Sequence, residues 1–543
     1  MTSAGVLSER ERKKLTESAT IAAKKSKVLA VAAYGSRVSG YSREDSDYDI
    51  LVVTDRQRPK AKYAYGEHDG LYFSALLVQG DAFNRDCSEA ALGEFAGGRL
   101  LNRYEEITEG EYFAAPELSL KRRIVIESVQ EAIEKLGPLA KGIIFHPKYF
   151  LFNKLKKRGA IYPPVTYSYI KTYSPPVAEG NLEFTLAGFT RALDGLCGEG
   201  LLRMVDGGYM MTEDAEKRIR LPPFSSTIRL AQRGIRQYLT HGLAGGVGVD
   251  VALRELASKL GRSRTKMTVP EDLSEPRRSL SVREGRLLFG GDWLEEVMAE
   301  LGVGEPHGHQ SHQFGEFFSS VVLHTVTGPA GLKKFVVKRY QDIWSFKWVV
   351  ANLVAISAKS FESRPMHRLS MEYQGMLSLR EIGVRTPLVY AIVPDEKVMV
   401  REHLEGVSLE EMAAGKGPLD PTVLSWVRRF AEILSKVHGA RMSVGDTKPS
   451  NILCEGEKIS LIDLEQCRVG GDYAWDVAEF VYYSCMTMND PLMAFEFGRA
   501  FASAYVEEGD PAVLRGAQDQ AYTLPFQVLV QPDVLRSAKQ GLL

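Results

Sequence analysis

Three side chains that offer oxygen fall at short steps in the stretch VGDTKPSNILCEGEKISLIDLE, residues 444–465. Asp446 follows a glycine, Asn451 comes five residues later, and Asp463 sits twelve further on in the apolar run Ser460-Leu461-Ile462-Asp463-Leu464. A carboxylate, an amide and a second carboxylate converging on one spot are what metal-assisted phosphoryl transfer requires. One acid accepts the proton of the attacking hydroxyl, while the amide and the other acid hold the Mg²⁺ that bridges the phosphates. In those terms Asp446 is the base, Asn451 and Asp463 are the metal ligands, and Lys448 steadies the group in transfer. The competing expectation is a polar turn between a helix and a hairpin.

The elements that must bring these groups together lie upstream. Lys333-Lys334-Phe335-Val336-Val337-Lys338-Arg339 reads as a strand, with Lys338 placed to reach the α- and β-phosphates of a nucleotide. Helical spacing runs from Arg368 to Ile382 and stops at Gly383. Its apolar face holds Leu369, Tyr373, Met376 and Leu379, and Glu372 points into that same face. A carboxylate buried alone is expensive, so it calls for a cation, and Lys338 is the one expected. Asp420-Pro421 caps a helix from Thr422 to His438 that delivers the chain to Asp446.

Residues from about 312 to 485 resemble the atypical, protein-kinase-like families. Similar among these are the RIO kinases, the small kinase of the tRNA threonylcarbamoyladenosine complex, and the aminoglycoside and choline phosphotransferases. Glycine before Asp446 carries that resemblance, as does the short gap from Asp463 to Asp476, which leaves no room for a long activation loop. The resemblance implies a bilobal domain, ATP and Mg²⁺, and transfer of the γ-phosphate to a hydroxyl of a protein or a small molecule. It also implies an adenine-receiving hinge in Lys397 to Gly406, with Glu402 among its residues, and an Asp476 that bonds the catalytic-loop backbone. The phosphate-covering loop would be Phe314 to Val322. It departs from the family pattern in having the single glycine Gly315, with Ser319 and Ser320 expected to help. The long gap between Lys338 and Glu372 reads as an inserted helix, Trp344 to Ala358.

A second constellation lies near the start. Ser8 to Lys25 reads as an exposed, charge-rich helix, and Lys27 to Tyr34 as a strand ending in Gly35-Ser36. The following strand carries Asp47 and Asp49 two residues apart, which places both on one face. Paired carboxylates repel unless a cation sits between them, so they make a Mg²⁺ seat. Gly35 and Ser36 offer a backbone N–H and a hydroxyl to a triphosphate. This pattern, over roughly residues 25–80, resembles the nucleotidyltransferase superfamily that includes CCA-adding and aminoglycoside nucleotidyltransferases. The family usually carries a third carboxylate on a later strand. Here that strand, Gly70 to Val78, has Ser74, with Glu67, Asp69 and Asp81 off to the sides. Nucleotidyl transfer and mere nucleotide or RNA binding both stay open for this domain.

Helical periodicity dominates from Glu117 to about Lys157. Basic residues gather there and just beyond (Lys121, Arg122, Arg123, Lys148, Lys154, Lys156, Lys157, Arg158), interleaved with Phe145, Tyr149, Phe150, Phe152, Tyr162, Tyr167, Tyr169 and Tyr173. That composition suits RNA or tRNA, and it equally suits amphipathic helices with solvated lysines. A helix, Thr185 to Glu199, then a strand, a turn at Asp206-Gly207-Gly208 and a second strand form the tail of a winged helix, which serves nucleic acids or simply spaces domains. A helix is expected over Asp250 to Leu260 and a linker over 261–285, while His307, His309 and His312 read as a loop rather than a metal site.

At 543 residues the chain is too long for one core. The reading is an α+β multidomain protein: a nucleotidyltransferase-like α/β domain over 1–115, a helical and winged-helix-like domain over 116–225, a helical segment and linker over 226–305, and the bilobal protein-kinase-like domain over 306–543. A net charge of -1 excludes binding of nucleic acid through a global field. The five cysteines are scattered without a CxxC pair, which argues for a reducing compartment and against structural zinc. No secretory signal is read at the N-terminus, and the most apolar window, Ile343 to Ile356, is too short to span a bilayer. A soluble, cytoplasmic protein without a membrane partner is therefore expected. Its activity is read as γ-phosphate transfer, with two alternatives: nucleotidyl transfer to protein or RNA regulated by the kinase-like domain, or an RNA scaffold switched by ATP hydrolysis.

Overall fold

The computed structural model describes residues 6–108, 110–219, 228–229, 231–237, 240, 268–303, 308–314, 319–328, 331–341, 362 and 364–543. The expected helices Asp250 to Leu260 and Trp344 to Ala358, together with His307 and Gly315, lie outside these residues. The chain divides into two compact units, 1–135 with 143–281 and 136–142 with 282–543.

In the first unit, α1 (Glu9–Ala23) begins at Ser8, which accepts the Glu11 N–H while Glu11 accepts the Ser8 N–H. The helix is less exposed than its charges suggest. It buries Leu15, Ala19 and Ala23 against one face of a five-stranded sheet ordered β3-β4-β2-β1-β5. These strands are β1 (Val28–Tyr34), β2 (Tyr48–Thr54), β3 (Ala61–His68), β4 (Leu71–Gln79) and β5 (Glu105–Glu106). Strands β2 and β4 run parallel and the other pairs antiparallel. A four-residue helix, α2 (Ser36–Ser39), follows β1, and α3 (Gly80–Glu89) follows β4.

The helical stretch expected from Glu117 to Lys157 is broken. α4 (Ala114–Leu136) and α5 (Pro147–Ile161) are separated by a strand, β6 (Ile143–Phe145). Gly137-Pro138 and Pro147 bound the break, and Phe145 pairs with Tyr209. After α6 (Pro164–Thr172) and α7 (Ala178–Gly198), the expected hairpin appears as β7 (Leu202–Val205) and β8 (Gly208–Met211), in a sheet ordered β7-β8-β6-β9 with β9 (Leu280–Val282).

The basic and aromatic residues of this region are for the most part paired or buried. Glu94, buried, collects Lys154 at 2.5 Å, Arg123 at 2.8 Å and Arg158 at 3.1 Å. Lys121 pairs with Glu117, Arg122 with Glu199, Lys157 with Glu131 and Lys148 with Asp272, while Lys156 donates to the Ser274 carbonyl. Phe145, Tyr149, Phe150, Phe152, Tyr169 and Tyr173 are buried, and Tyr167 is exposed. These cations neutralise neighbouring carboxylates, and the rings fill a helical core.

The second unit has an upper six-stranded sheet ordered β10-β14-β15-β13-β12-β11. The strands are β10 (Arg286–Leu287), β11 (Gly308–Phe314), β12 (Ser319–Gly328), β13 (Gly331–Tyr340), β14 (Val389–Val393) and β15 (Val398–Glu402). The described part of the stretch read as a linker leads directly into β10, and its Glu284 accepts the Val389 N–H at 2.5 Å and pairs with Arg380. That carboxylate is internally paired rather than solvated. His309 and His312 lie in β11, not in a loop, and His309 Nε2 is 2.7 Å from His324 Nδ1 on β12. α8 (Pro365–Glu381) packs beneath the sheet. The lower part holds α9 (Pro421–Gly439), the short strands β16 (Val407–Ser408) and β17 (Met442–Ser443), the hairpin β18 (Ile452–Glu455) with β19 (Lys458–Leu461), β20 (Arg468–Val469), α10 (Tyr473–Ser484), α11 (Pro491–Tyr505) and α12 (Pro532–Gly541). No described helix is long and apolar enough to cross a membrane.

Candidate active site

Alternation along β13 decides which side chains reach the site. Phe335 and Val337 enter the core of the upper sheet with Ala391, Val398 and Trp293. Lys338 and Tyr340, two apart, turn to the opposite face toward α8. There Lys338 Nζ lies 2.7 Å from Glu372 Oε2, which also accepts the Tyr340 hydroxyl at 2.6 Å. Arg401 stands 3.8 Å from the other oxygen, Oε1, which has no hydrogen-bond partner. All four side chains are buried. The lysine–glutamate pair read from helical phase is therefore present, within a larger cluster.

From below, the β18–β19 hairpin sets two of the expected ligands side by side. Asn451 precedes it and Asp463 follows it, and the Ile462 N–H donates to the Asn451 carbonyl at 3.0 Å. Asn451 Nδ2 donates to the Asp446 carbonyl at 3.2 Å, which leaves its Oδ1 directed elsewhere. Asp463 adopts a left-handed backbone, φ 59°, of the kind that persists where surrounding structure enforces it. Its Oδ1 accepts from Lys338 at 2.7 Å. Burial disfavours the Asp463 charge, but Lys338 outweighs that and holds the carboxyl at about 2. Glu465 adds a third carboxylate at 2.7 Å from Lys338 and pairs with Arg368 of α8. Here burial prevails, and the Glu465 carboxyl is raised. An ionised Asp463, on a segment whose backbone bonds that of Asn451, is with an amide oxygen the kind of hard donor set that suits a divalent cation such as Mg²⁺.

The loop carrying Asp446 is held by α10. Asp476, fully buried, accepts the Val444 N–H at 2.7 Å and the Gly445 N–H at 2.8 Å. Glu479 accepts the Thr447 N–H at 2.8 Å, and Thr447 Oγ1 donates to the Asp476 carbonyl at 2.7 Å. His438 bridges Tyr505 at 2.7 Å and Asp476 at 3.2 Å. Lys448 Nζ sits 3.0 Å from Asp446 Oδ1. Burial pulls the Lys448 pKa down, and Asp446, Glu479 and Asp463 together push it above its ordinary value, so the field of all three acids reaches this ammonium.

Gly445 is required by geometry. Its φ is 84°, and an added Cβ would lie 2.5 Å from the Gln466 carbonyl oxygen. Gly445→Ala is expected to cost roughly 2 kcal/mol or more from the left-handed backbone and the clash, and to displace Asp446. A chemical-denaturation midpoint measured beside the transfer rate checks it, and an unchanged midpoint would contradict it.

The remaining expected residues are less well placed. Ser320 pairs with Arg339 across β12 and β13, and Ser319 opens β12, so both belong to a strand. Glu402 exchanges hydrogen bonds with Leu388: its N–H donates at 2.8 Å, and its carboxylate accepts at 3.1 Å. One oxygen of its carboxylate is thus bonded to the neighbouring chain segment. Arg368, Glu465, Tyr340, Arg401, His438 and Glu479 were not anticipated. Arg368, one turn before Glu372, and Glu465, two residues after Asp463, were the two within reach of motif spacing.

In the first unit, one row crosses the sheet through paired residues: Tyr65, Ser74, Asp49 and Tyr34. Ser74 is directly beside Asp49, in the register where a third carboxylate would serve. Asp47 precedes β2 and is exposed, so the expected same-strand pair is only half realised. Gly35, φ 82°, comes so close to Asp49 Oδ2 that any side chain there would collide with the carboxylate. Ser36 opens α2 and is half-buried. Arg99 stacks over Tyr34 at 5.1 Å and donates to the Tyr63 hydroxyl at 2.8 Å, with its Nε buried and unpartnered. Burial opposes the Arg99 charge, while Tyr63, Tyr34 and Asp49 outweigh it.

Residues 17–70, which run from α1 through β1, β2 and β3 to the turn before β4, match the family described as Polymerase beta, Nucleotidyltransferase. The N-terminal part of the chain is nucleotidyltransferase-like. Curated relatives are each called "Probable bifunctional tRNA threonylcarbamoyladenosine biosynthesis protein". The protein of Methanosarcina barkeri is 26% identical over 261 residues, covering 43% of this chain and 43% of its own length. Those of Methanosarcina mazei and Methanosarcina acetivorans are 25% identical over 262 residues, again covering 43% of each chain. The chain thus spans less than half the length of these relatives. A kinase-like part joined to a nucleotidyltransferase-like part, of transferase type, agrees with both comparisons.

Proposed function

We propose that the second unit is an ATP- and Mg²⁺-dependent phosphotransferase that moves the γ-phosphate to a hydroxyl. The observation that carries this reading is the meeting of Lys338, Glu372 and Asp463 at 2.7 Å, from a strand, a helix and a hairpin end. Glu372 fixes Lys338, which binds the α- and β-phosphates. Asn451 and Asp463 hold Mg²⁺. An ion held there would supply positive charge against the phosphates. Asp446 orients the acceptor hydroxyl and takes its proton as the bond forms, and Lys448, 3.0 Å away, steadies the transferred group. Asp476 and Glu479 keep the Asp446 loop in place and touch no substrate. The acceptor is a protein or small-molecule hydroxyl, and the relatives' names, which speak of tRNA threonylcarbamoyladenosine biosynthesis, support a tRNA-modification setting for it.

A second reading, nucleotide binding or nucleotidyl transfer by the first unit, is favoured by the close approach of Gly35 to Asp49. Ser74 in the third-acid register weighs against transfer and leaves binding. Position-labelled ATP separates the readings. ADP release with γ-label on an acceptor supports the phosphotransferase, and pyrophosphate release with α-label transferred supports the first unit. ATP turnover that RNA stimulates, with no labelled acceptor, would sink both and favour the scaffold.

A further inference from the structure

Lys338 Nζ has three carboxylate oxygens at 2.7 Å: Glu372 Oε2, Asp463 Oδ1 and Glu465 Oε1. An ammonium has three N–H groups and no further donor. A phosphate oxygen can reach Lys338 only by replacing one of these carboxylates. They are not equally replaceable. Glu372 is fully buried, and the Tyr340 hydroxyl grips the same oxygen from a second side. Asp463, in the reading above, stays with the phosphates through the metal. Among the described residues Glu465 has the closer second cation, because its Oε2 is hydrogen-bonded to Arg368 one helical turn before Glu372, whereas Arg401 stands 3.8 Å from Glu372 Oε1 and makes no hydrogen bond to it. It can leave Lys338 without becoming an unpaired buried charge.

We propose that Glu465 is a stand-in for phosphate. It holds Lys338 in position, competes with the phosphates of an incoming nucleotide, and retires onto Arg368 when they bind. Glu465 is thus a positioning residue that sets nucleotide affinity, and Arg368 is the anchor that makes the exchange reversible. This rests on the phosphotransferase reading.

Calorimetric titration of the full chain with ATP and Mg²⁺, and separately with adenosine, tests it. Glu465→Gln is expected to lower the Kd for ATP about tenfold, which is 1.4 kcal/mol, and to leave the Kd for adenosine unchanged. Adenosine has no phosphate for Glu465 to oppose, so a purely structural role for Glu465 would not split the two ligands. If Glu465→Gln does not fold, the double variant Arg368→Gln with Glu465→Gln removes both charges and is titrated in the same way. A folded variant with equal or weaker ATP affinity, or with the same gain for adenosine, overturns the proposal. No binding of ATP by the unaltered chain overturns the phosphotransferase reading instead.

Discussion

Asp463→Asn lowers γ-phosphate transfer by roughly two to three orders of magnitude, the scale on which removal of one electrostatic contact to a reacting group is felt. The substitution keeps the shape of the side chain and removes its charge. That charge is present at neutral pH, since Lys338 holds the carboxyl at about 2. Lys338 retains Glu372 and Glu465, so the cluster loses one of three anions and no buried carboxylate is orphaned. A thermal melt should therefore move little while the single-turnover rate collapses. Transfer at the unaltered rate would remove Asp463 from the site.

Lys338→Met has the opposite profile, because it strikes the fold as well as the chemistry. It leaves Glu372, Asp463 and Glu465, whose oxygens lie within 4.8 Å of one another, without their shared cation. Breaking a buried pair by removing one partner costs about 3–5 kcal/mol, far more than the pair itself contributes. The second unit is expected to melt earlier in a calorimetric scan while the transition of the first is unchanged. Adding Glu372→Gln to Lys338→Met should restore part of the loss, since it removes one stranded charge. A double variant no more stable than the single one would show that repulsion is not the cause.

The placement of Asp446, Asn451, Asp463, Lys338 and Glu372 was legible because it is written into local spacing. A glycine that no side chain can replace precedes Asp446, a hairpin separates Asn451 from Asp463, and helical phase turns Glu372 inward. Arg368 and Glu465 escaped because their meaning lies in a partnership across 97 residues, although each sits one short step from a motif residue. The misread stretches share a physical cause. Charge in a sequence does not disclose its partner, so Lys154, Arg158 and Glu284 looked solvated although each is paired. Three apolar residues, Ile143 to Phe145, were absorbed into helical periodicity because a strand that short has no period of its own. The hairpin of β3 and β4 was missed at Asp69-Gly70, a pair that favours such turns.

Iron-directed cleavage tests the location of the metal–nucleotide site most directly. Fe²⁺ takes the place of Mg²⁺ in the presence of ATP, ascorbate and peroxide, and the backbone cuts are mapped by mass spectrometry. The account predicts ATP-dependent cuts beside Asn451 and Asp463 that disappear in Asp463→Asn. Cuts confined to the neighbourhood of Asp47 and Asp49, with none in residues 444–465, would contradict it.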